Sequence, residues 1–303
     1  MTNKKTPARG QFGRLLTAMV TPFDGTGSVD YAQAQRLARA LLASGSDGVV
    51  VAGTTGEAPT LTDEERFALY EAAVEEVGDR ATVVAGTGTY DTRHSIHLTE
   101  RAHAIGVDGV LVVTPYYSKP PPRGIVAHVE AIAAATDRPV IFYDIPSRVV
   151  VDVEPATIAR LAEIDNVRAV KQAKPSLDAA RNVVACGLDL YAGDDDLILP
   201  FLEVGGTGGI CVHTHVVGPR VKEMLERYRS GDVSGARALD EELRPSIELL
   251  RVVTNPIAIK RALDLLGLTP GTVRLPLVEA DEAETAAIRG CLERLGLLAP
   301  VPA

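Results

Sequence analysis

The chain has 303 residues, a length that suffices for one large domain or two ordinary ones with a sizeable core. Hydrophobic residues make up 46% of it and charged residues 23%, as in an ordinary globular protein. Its net charge of −9, with no basic stripe, argues against nucleic acid and anionic membranes as partners. The three cysteines form no CxxC pair, and no run of about 18 apolar residues occurs, so neither a disulfide framework nor a membrane span is expected. We therefore expect a soluble, cytoplasmic protein.

Eight short apolar runs alternate with helical patterns along the first 230 residues. Most of these runs are rich in β-branched residues and bounded by Gly, Pro or Asp, as is typical of strands buried on both faces of a parallel sheet. The predicted strands are 15–22, 48–53, 82–86, 109–115, 140–145, 168–173, 188–193 and 209–212.

The helical patterns between the strands carry recognisable start signals. Asp30 is a candidate N-cap, and Thr62 followed by Glu65 forms a capping-box signature. The predicted helices are 30–43, 62–77, 92–105, 124–135, 155–164, 176–186, 197–204 and 217–228.

Eight strand–helix units predict a (β/α)₈ TIM barrel over residues 12–230. A doubly wound sheet would show the same alternation, but the TPFDGTG that follows the first strand lacks the G-x-G-x-x-G of a dinucleotide-binding turn. From about residue 230 onward no strand is predicted. Helices at 236–253, 256–266 and 282–297 indicate a C-terminal three-helix appendage over residues 231–303.

A lysine inside the sixth predicted strand is the first candidate for catalysis. In a barrel of this kind, chemistry takes place where the carboxyl ends of the strands converge. Lys171 lies near such an end, within an apolar run. Burial lowers the pKa of an ammonium group and frees the amine to attack a carbonyl. The alternative, a lysine that extends to solvent or pairs with a carboxylate, stays open on this feature alone.

The fifth predicted strand and its loop add two further candidates. Tyr143 lies at the end of the strand, where its hydroxyl could carry a proton between substrate and solvent. Arg148, in the loop that follows, could hold a carboxylate through two hydrogen bonds. An ordinary core tyrosine and a solvated arginine are the alternatives.

Polar and small residues also follow other strands. Thr54 and Thr55 belong to a GTTGE segment whose hydroxyls and backbone amides could bind a carboxylate. Tyr117 lies in a proline-rich loop after the fourth strand and could serve an interface or the site. Gly193, which precedes two aspartates, could allow close approach of the backbone or begin a helix.

Taken together, GTTGE, VTPYYSKP, YDIPSR and the V-K of the sixth strand resemble the dihydrodipicolinate synthase / N-acetylneuraminate lyase superfamily of Schiff-base aldolases. The resemblance extends from residue 15 to the C-terminal helices, and its implied roles cover eight residues. It implies that Lys171 forms the Schiff base and that Tyr143 transfers protons, in a hydroxyl relay with Thr54 and with Tyr117 of a neighbouring subunit. Thr55 would bind the carboxylate of the 2-oxo acid, and Arg148 would bind that of the second substrate. Backbone groups of Gly193 and Ile210 would line the pyruvate pocket.

Within this superfamily, Arg148 implies a synthase. The implied reaction is the condensation of pyruvate with L-aspartate-4-semialdehyde to 4-hydroxy-tetrahydrodipicolinate, in lysine and diaminopimelate biosynthesis, without metal or organic cofactor. The resemblance also implies a homo-oligomer, a dimer of dimers. Two features depart from the family pattern: Asp144 replaces an asparagine and is expected to face away from the site, and residues 211–215 are unusually polar. The positions of a lysine effector site match poorly, so lysine feedback is not expected.

Three other interpretations remain open. His213 and His215, if on a strand, would share one face and could form a zinc pair, although the remaining histidines fall in predicted helices. A 2-keto-3-deoxy sugar acid aldolase could use the same lysine. A catalytically silent barrel could serve as a binding or regulatory protein.

Overall fold

The computed structural model describes residues 10–299, and within them the eight strands close into a parallel barrel in sequence order. The predicted TIM barrel is therefore confirmed, and the open doubly wound sheet is excluded because β1 pairs with β8. The strands are β1 Leu15–Ala18, β2 Gly48–Val51, β3 Thr82–Gly86, β4 Gly109–Val113, β5 Val140–Asp144, β6 Val167–Gln172, β7 Asp189–Ala192 and β8 Gly208–Cys211.

Helices follow the strands, and their sequence start signals act as expected. The Asp30 side chain accepts a hydrogen bond from the amide of Gln33, and Thr62 and Glu65 form the reciprocal capping box. The helices are α1 Tyr31–Ala43, α2 Asp63–Val77, α3 Thr92–Ile105, α4 Pro122–Ala133, α5 Pro146–Val149, α6 Pro155–Leu161, α7 Leu177–Ala185, α8 Ile198–Glu203, α9 Thr214–Arg229, α10 Val233–Glu242, α11 Arg244–Arg251, α12 Ile257–Leu265 and α13 Glu282–Arg294.

Register between neighbouring strands brings the candidate side chains together. Tyr143 of β5 is paired with Lys171 of β6, which is in turn paired with Tyr191 of β7. Residues paired in this way point to the same face of the sheet, here the barrel interior. Asp144, the next residue along β5, points outward and forms an ion pair with Lys174 at 3.0 Å. The prediction that Asp144 faces away from the site is confirmed.

Several strands end earlier than their apolar runs predicted. β1 ends at Ala18 instead of residue 22, and β2 ends at Val51 instead of residue 53. Ala52 has a left-handed backbone with φ of 50°, which breaks the extended geometry directly after β2. The residues beyond these points form loops around the open end of the barrel, which we call the mouth.

The predicted helix 236–253 is wrong as a single element. The chain forms two helices there, α10 and α11, which meet at Leu243. Pro245 is the reason: it lacks an amide hydrogen and is accommodated in the first turn of a helix but not in its interior. The C-terminal region therefore contributes four helices, α10 to α13.

The C-terminal helices pack both on one another and on the barrel. α13 contacts α11 and α12, while α10 lies against α9. The proposed division at residue 230 falls between α9 and α10 and stays a prediction; its end, residues 300–303, lies outside the described residues. Among residues 10–299, no helix has the length and apolar character that a membrane crossing requires.

Candidate active site

A cavity of about 580 Å³ opens at the mouth of the barrel. Six of the eight predicted site residues line it, together with three consecutive aspartates and residues that precede α12. The predicted residues on the cavity are Thr54, Thr55, Tyr143, Arg148, Lys171 and Gly193.

Lys171 is 4% exposed and lies beneath this cavity. Burial lowers the pKa of its ammonium group to about 8, although the nearby carboxylates of Asp194 and Asp195 oppose the shift. No ion pair of its Nζ atom is found among the described residues, since its charged neighbours lie beyond contact distance. A buried amine with a lowered pKa and an open face is chemically equipped for attack on a carbonyl.

Tyr143 lies beside this amine. The Nζ atom of Lys171 is 4.3 Å from the centre of the Tyr143 ring. Burial raises the pKa of the Tyr143 hydroxyl well above its ordinary value, while interaction with the Thr54 side chain acts in the opposite direction. The hydroxyl is therefore protonated at neutral pH and can donate a proton to a leaving oxygen.

The carboxylate-binding candidates lie on the side of the cavity formed by β2 and α5. Thr55 is buried, and its Oγ1 atom accepts a hydrogen bond of 2.9 Å from the side-chain amide of Asn255. Arg148, which was predicted in a loop, belongs to the single turn of α5 and is exposed, with one bond of 3.2 Å to the carbonyl of Asn255. Arg148 thus keeps donors free for a ligand.

Asn255 was missed by sequence reasoning. It lines the cavity, contacts both Thr55 and Arg148, and has a buried Oδ1 atom without a hydrogen-bond partner among the described residues. It lies 200 positions from Thr55 and precedes α12, so only the packing of the C-terminal helices on the mouth places it there. No local pattern in the sequence marks it.

Gly193 is required by the closeness of two strands. A Cβ atom at this position would lie 2.9 Å from that of Ala173, and its amide donates to the carbonyl of Gln172 at 2.8 Å. Ile210, by contrast, is fully buried within β8 and is not among the residues that line the cavity. Its backbone role toward pyruvate stays a prediction.

Tyr117 does not reach the site of its own chain. Its side chain is 92% exposed and its backbone is left-handed, with φ of 70°. Its neighbour Tyr116 turns inward, packs edge-to-face on Tyr90 with ring centres 5.3 Å apart, and lines a second cavity of about 210 Å³. The structure therefore brings Thr54 and Tyr143 together and leaves Tyr117 outside.

The alternative interpretation of His213 and His215 as a zinc pair on one face of a strand is wrong. β8 ends at Cys211, so these histidines lie at the start of α9 and not on a strand. Both ring nitrogens of His215 are engaged: Nδ1 donates to the carbonyl of Val212 at 2.7 Å, and Nε2 accepts from the amide of Val20 at 3.2 Å. Burial lowers the pKa of His215 to about 4, so the ring is neutral and structural.

Among the described residues, one group combines metal-ligand side chains, namely Asp195, Cys211 and His213. The Oδ1 atom of Asp195 already accepts bonds from the amides of Val212 and His213, at 2.8 and 2.6 Å. Burial raises the pKa of the Cys211 thiol well above its ordinary value, which opposes the thiolate that a metal requires. We interpret Asp195 as a support for the chain that begins α9.

A buried ion pair fastens the GTTGE segment to the C-terminal helices. Glu57, with left-handed φ of 56°, receives a bond of 2.5 Å from the Nζ atom of Lys260 in α12, and both side chains are at most 1% exposed. The other carboxylate oxygen of Glu57 accepts from the amide of Arg274 at 3.0 Å. This pair was also missed from the sequence, and it joins α12 to Glu57, which lies two positions after Thr55 in the chain.

The model of the Dihydrodipicolinate synthetase family matches residues 11–295 of this chain. The chain belongs to the dihydrodipicolinate synthetase family. A 4-hydroxy-tetrahydrodipicolinate synthase of Moorella thermoacetica is 50% identical over 291 residues, covering 95% of this chain and 100% of that protein. Another, from Heliobacterium modesticaldum, is 48% identical over 290 residues, covering 95% and 97%.

Solved structures of this family agree. Dihydrodipicolinate synthase DapA-2 of Bacillus anthracis superposes with a TM-score of 0.91 at 39% identity, covering 93% of this chain and 98% of that one. The enzyme of Cyanidioschyzon merolae, solved with lysine bound, gives 0.93 at 39% identity, with coverages of 95% and 99%. The predicted family is confirmed, and the predicted activity is the one for which the relatives are named.

The lowered pKa of Lys171 has a measurable consequence. Because only the neutral amine attacks a carbonyl, kcat/KM for pyruvate should rise about tenfold per pH unit below about 8 and level off above it. An exposed lysine would place this bend above pH 10. The pH profile of kcat/KM for pyruvate, measured with the second substrate saturating, distinguishes the two, and a rise that continues past pH 9 would contradict the assignment.

Proposed function

We propose that this chain condenses pyruvate with L-aspartate-4-semialdehyde to 4-hydroxy-tetrahydrodipicolinate, a step of lysine and diaminopimelate biosynthesis, through a Schiff base on Lys171. The observation that carries the proposal is the buried, unpaired amine of Lys171 at the floor of the mouth cavity, 4.3 Å from the Tyr143 ring. The family membership supports the same reaction.

The first half of the reaction forms a nucleophile from pyruvate. The neutral amine of Lys171 attacks C2 of pyruvate, and the C2 oxygen leaves as water with a proton from Tyr143. Thr55 and neighbouring amides hold the pyruvate carboxylate. The iminium then loses a methyl proton to the Tyr143 phenolate formed in the preceding step and becomes an enamine, with the former iminium nitrogen as the electron sink. The sequence of steps uses no metal or organic cofactor.

The second half joins the two substrates. The enamine carbon attacks the aldehyde carbon of the semialdehyde, whose carboxylate is held by the free donors of Arg148. The aldehyde oxygen takes up a proton from Tyr143, and the iminium forms again. The amine of the semialdehyde then attacks C2 and displaces Lys171, which closes the ring and returns the neutral lysine.

Steady-state assays test the choice of second substrate. With pyruvate saturating, turnover is expected with L-aspartate-4-semialdehyde, and the kcat/KM for cleavage of 2-keto-3-deoxy sugar acids is expected to be at least about a hundredfold lower, because Arg148 recognises a carboxylate next to the amine. Preferred cleavage of a sugar acid would make the protein an aldolase of that kind. No turnover with either class would favour a catalytically silent barrel.

The exposed position of Tyr117 leads to a proposal about assembly. The hydroxyl relay of Thr54 and Tyr143 lacks its third member within one chain, and Tyr117 extends from the barrel with 92% of its side chain exposed. We propose that Tyr117 enters the site of a neighbouring subunit, within a homo-oligomer built as a dimer of dimers. The cytoplasmic location stays a prediction.

Mixed oligomers test this exchange. Tyr117→Phe and Lys171→Met subunits, each expected to have well under a tenth of normal activity, are unfolded together and refolded as a mixture. In a mixed dimer, the subunit with an intact Lys171 receives an intact Tyr117, so about a quarter of normal activity should return. Refolded single variants serve as controls. Activity that stays at the level of the controls would show that Tyr117 does not act across subunits.

A further inference from the structure

The three consecutive aspartates that follow β7 all line the mouth cavity, but they differ in their partners. Asp195 accepts two backbone amides, and Asp196 forms an ion pair of 2.6 Å with Arg251. Asp194 begins a 3₁₀ turn without capping it, and its carboxylate has no hydrogen bond or ion pair among the described residues. A half-buried carboxylate without a partner thus faces the cavity that holds Lys171.

This carboxylate is in an unfavourable electrostatic setting. Burial, followed by the charges of Asp195 and Asp196, raises the pKa of Asp194, and the cations Lys171 and Arg148 oppose the shift. The chemistry removes one of these cations, since the nitrogen of Lys171 is uncharged once it forms part of the enamine. A new cation therefore stabilises the Asp194 carboxylate most in the enamine state, in which the second substrate binds.

The semialdehyde of the proposed function carries such a cation. Its ammonium and carboxylate groups are attached to the same carbon atom, so whatever binds the ammonium must lie close to the group that binds the carboxylate. Asp194 and Arg148 line the same cavity, and each is within electrostatic range of the other. A carboxylate and a guanidinium at one subsite form a complementary receptor for an α-amino acid.

We propose that Asp194 binds the α-ammonium group of the second substrate and thereby selects an amino-acid semialdehyde over an aldehyde that lacks the amine. This inference rests on the proposed function and adds to it the residue that reads the amine. It also predicts order below the pKa of Lys171: the ammonium binds more tightly to the enamine than to the free enzyme, because the nitrogen of Lys171 has then lost its charge.

Asp194→Asn tests the inference. The variant keeps the shape and removes the charge, so KM for L-aspartate-4-semialdehyde should rise at least about tenfold, the scale of a lost charge-assisted hydrogen bond. Succinic semialdehyde has the same skeleton without the amine, and its inhibition constant should change less than about threefold. Assays are run above the pKa of Lys171, because loss of a nearby negative charge lowers that pKa further.

Asp196→Asn is the matched control, since it removes the same charge from the same cavity at a residue already paired with Arg251. It should leave the ratio of the two constants within about threefold of the wild type. Borohydride trapping of pyruvate should be equal in wild type and both variants. This result would show that the substitutions change the interaction with the second substrate and not the reaction of Lys171 with pyruvate. An unchanged KM in Asp194→Asn, an equal rise of both constants, or an equal effect in Asp196→Asn would overturn the inference. Wild-type enzyme without semialdehyde turnover would overturn the proposed function and this inference with it.

Discussion

Replacement of Lys171 by Met is expected to lower kcat by at least about a thousandfold, because no other amine among the described residues lines the floor of the cavity. Methionine fills a similar volume, so the barrel interior should keep its packing. Lys171→Arg should be equally inactive, since a guanidinium keeps the charge but has no lone pair available at neutral pH. Steady-state rates with both substrates provide the measurement.

The control for this loss lies three residues further along the chain. Lys174 is ion-paired with Asp144 at 3.0 Å and with Asp152 at 2.6 Å, outside the mouth cavity. Lys174→Arg keeps both pairs and should retain nearly full activity. Residual turnover of more than a few per cent in Lys171→Met, with the control intact, would show that the chemistry does not pass through this amine.

Replacement of Lys260 by Met is expected to lower the free energy of unfolding by about 3–5 kcal/mol, the cost of leaving one partner of a buried ion pair alone. The Nζ atom of Lys260 bonds Glu57 at 2.5 Å and the carbonyl of Thr272 at 2.7 Å, and it lies 4.1 Å from the centre of the Phe23 ring. Its removal leaves the Glu57 carboxylate buried with one amide donor. Urea unfolding at a fixed protein concentration measures the loss.

Two further variants separate charge from packing. Lys260→Met combined with Glu57→Gln removes the unpaired charge and should recover more than half of the lost stability. Arg220→Met breaks an exposed pair, Arg220 with Glu242 at 2.7 Å, and should cost less than about 1 kcal/mol. A loss in Lys260→Met no larger than that in Arg220→Met would contradict the role given to the buried pair.

The buried ion pair of Lys260 and Glu57 should also affect catalysis. Glu57 has a left-handed backbone two residues after Thr55 in the chain. α12 begins two residues after Asn255, whose side chain bonds Thr55 at 2.9 Å. The C-terminal helices thus support the side of the cavity that Thr55 and Asn255 line. The single variant of Lys260 is therefore expected to raise KM for pyruvate even at temperatures where it is fully folded.

Sequence patterns predicted the barrel because its strands and helices are specified by interactions between residues that are close in the chain. Strand periodicity, the Asp30 cap and the Thr62–Glu65 box act within a few residues and need no tertiary information. The parallel barrel then places the carboxyl ends of its strands at one mouth, so Lys171 and Tyr143 followed from the same reasoning.

The missed features depend on contacts between distant segments. Asn255 and Lys260 meet Thr55 and Glu57 across about two hundred residues, and neither stands out in its own segment. The unpaired state of Asp194 is invisible in a run of three aspartates, since only the structure shows that its two neighbours are already bound. The zinc-pair alternative for His213 and His215 required both residues to lie on a strand, whereas β8 ends at Cys211 and both residues lie at the start of α9.

Borohydride reduction in the presence of pyruvate, followed by peptide mass mapping, shows whether Lys171 forms a covalent intermediate. We expect one pyruvate-derived adduct per chain, on Lys171, and loss of activity in proportion to its formation. An adduct on a different residue, or none at all, would contradict covalent catalysis by Lys171.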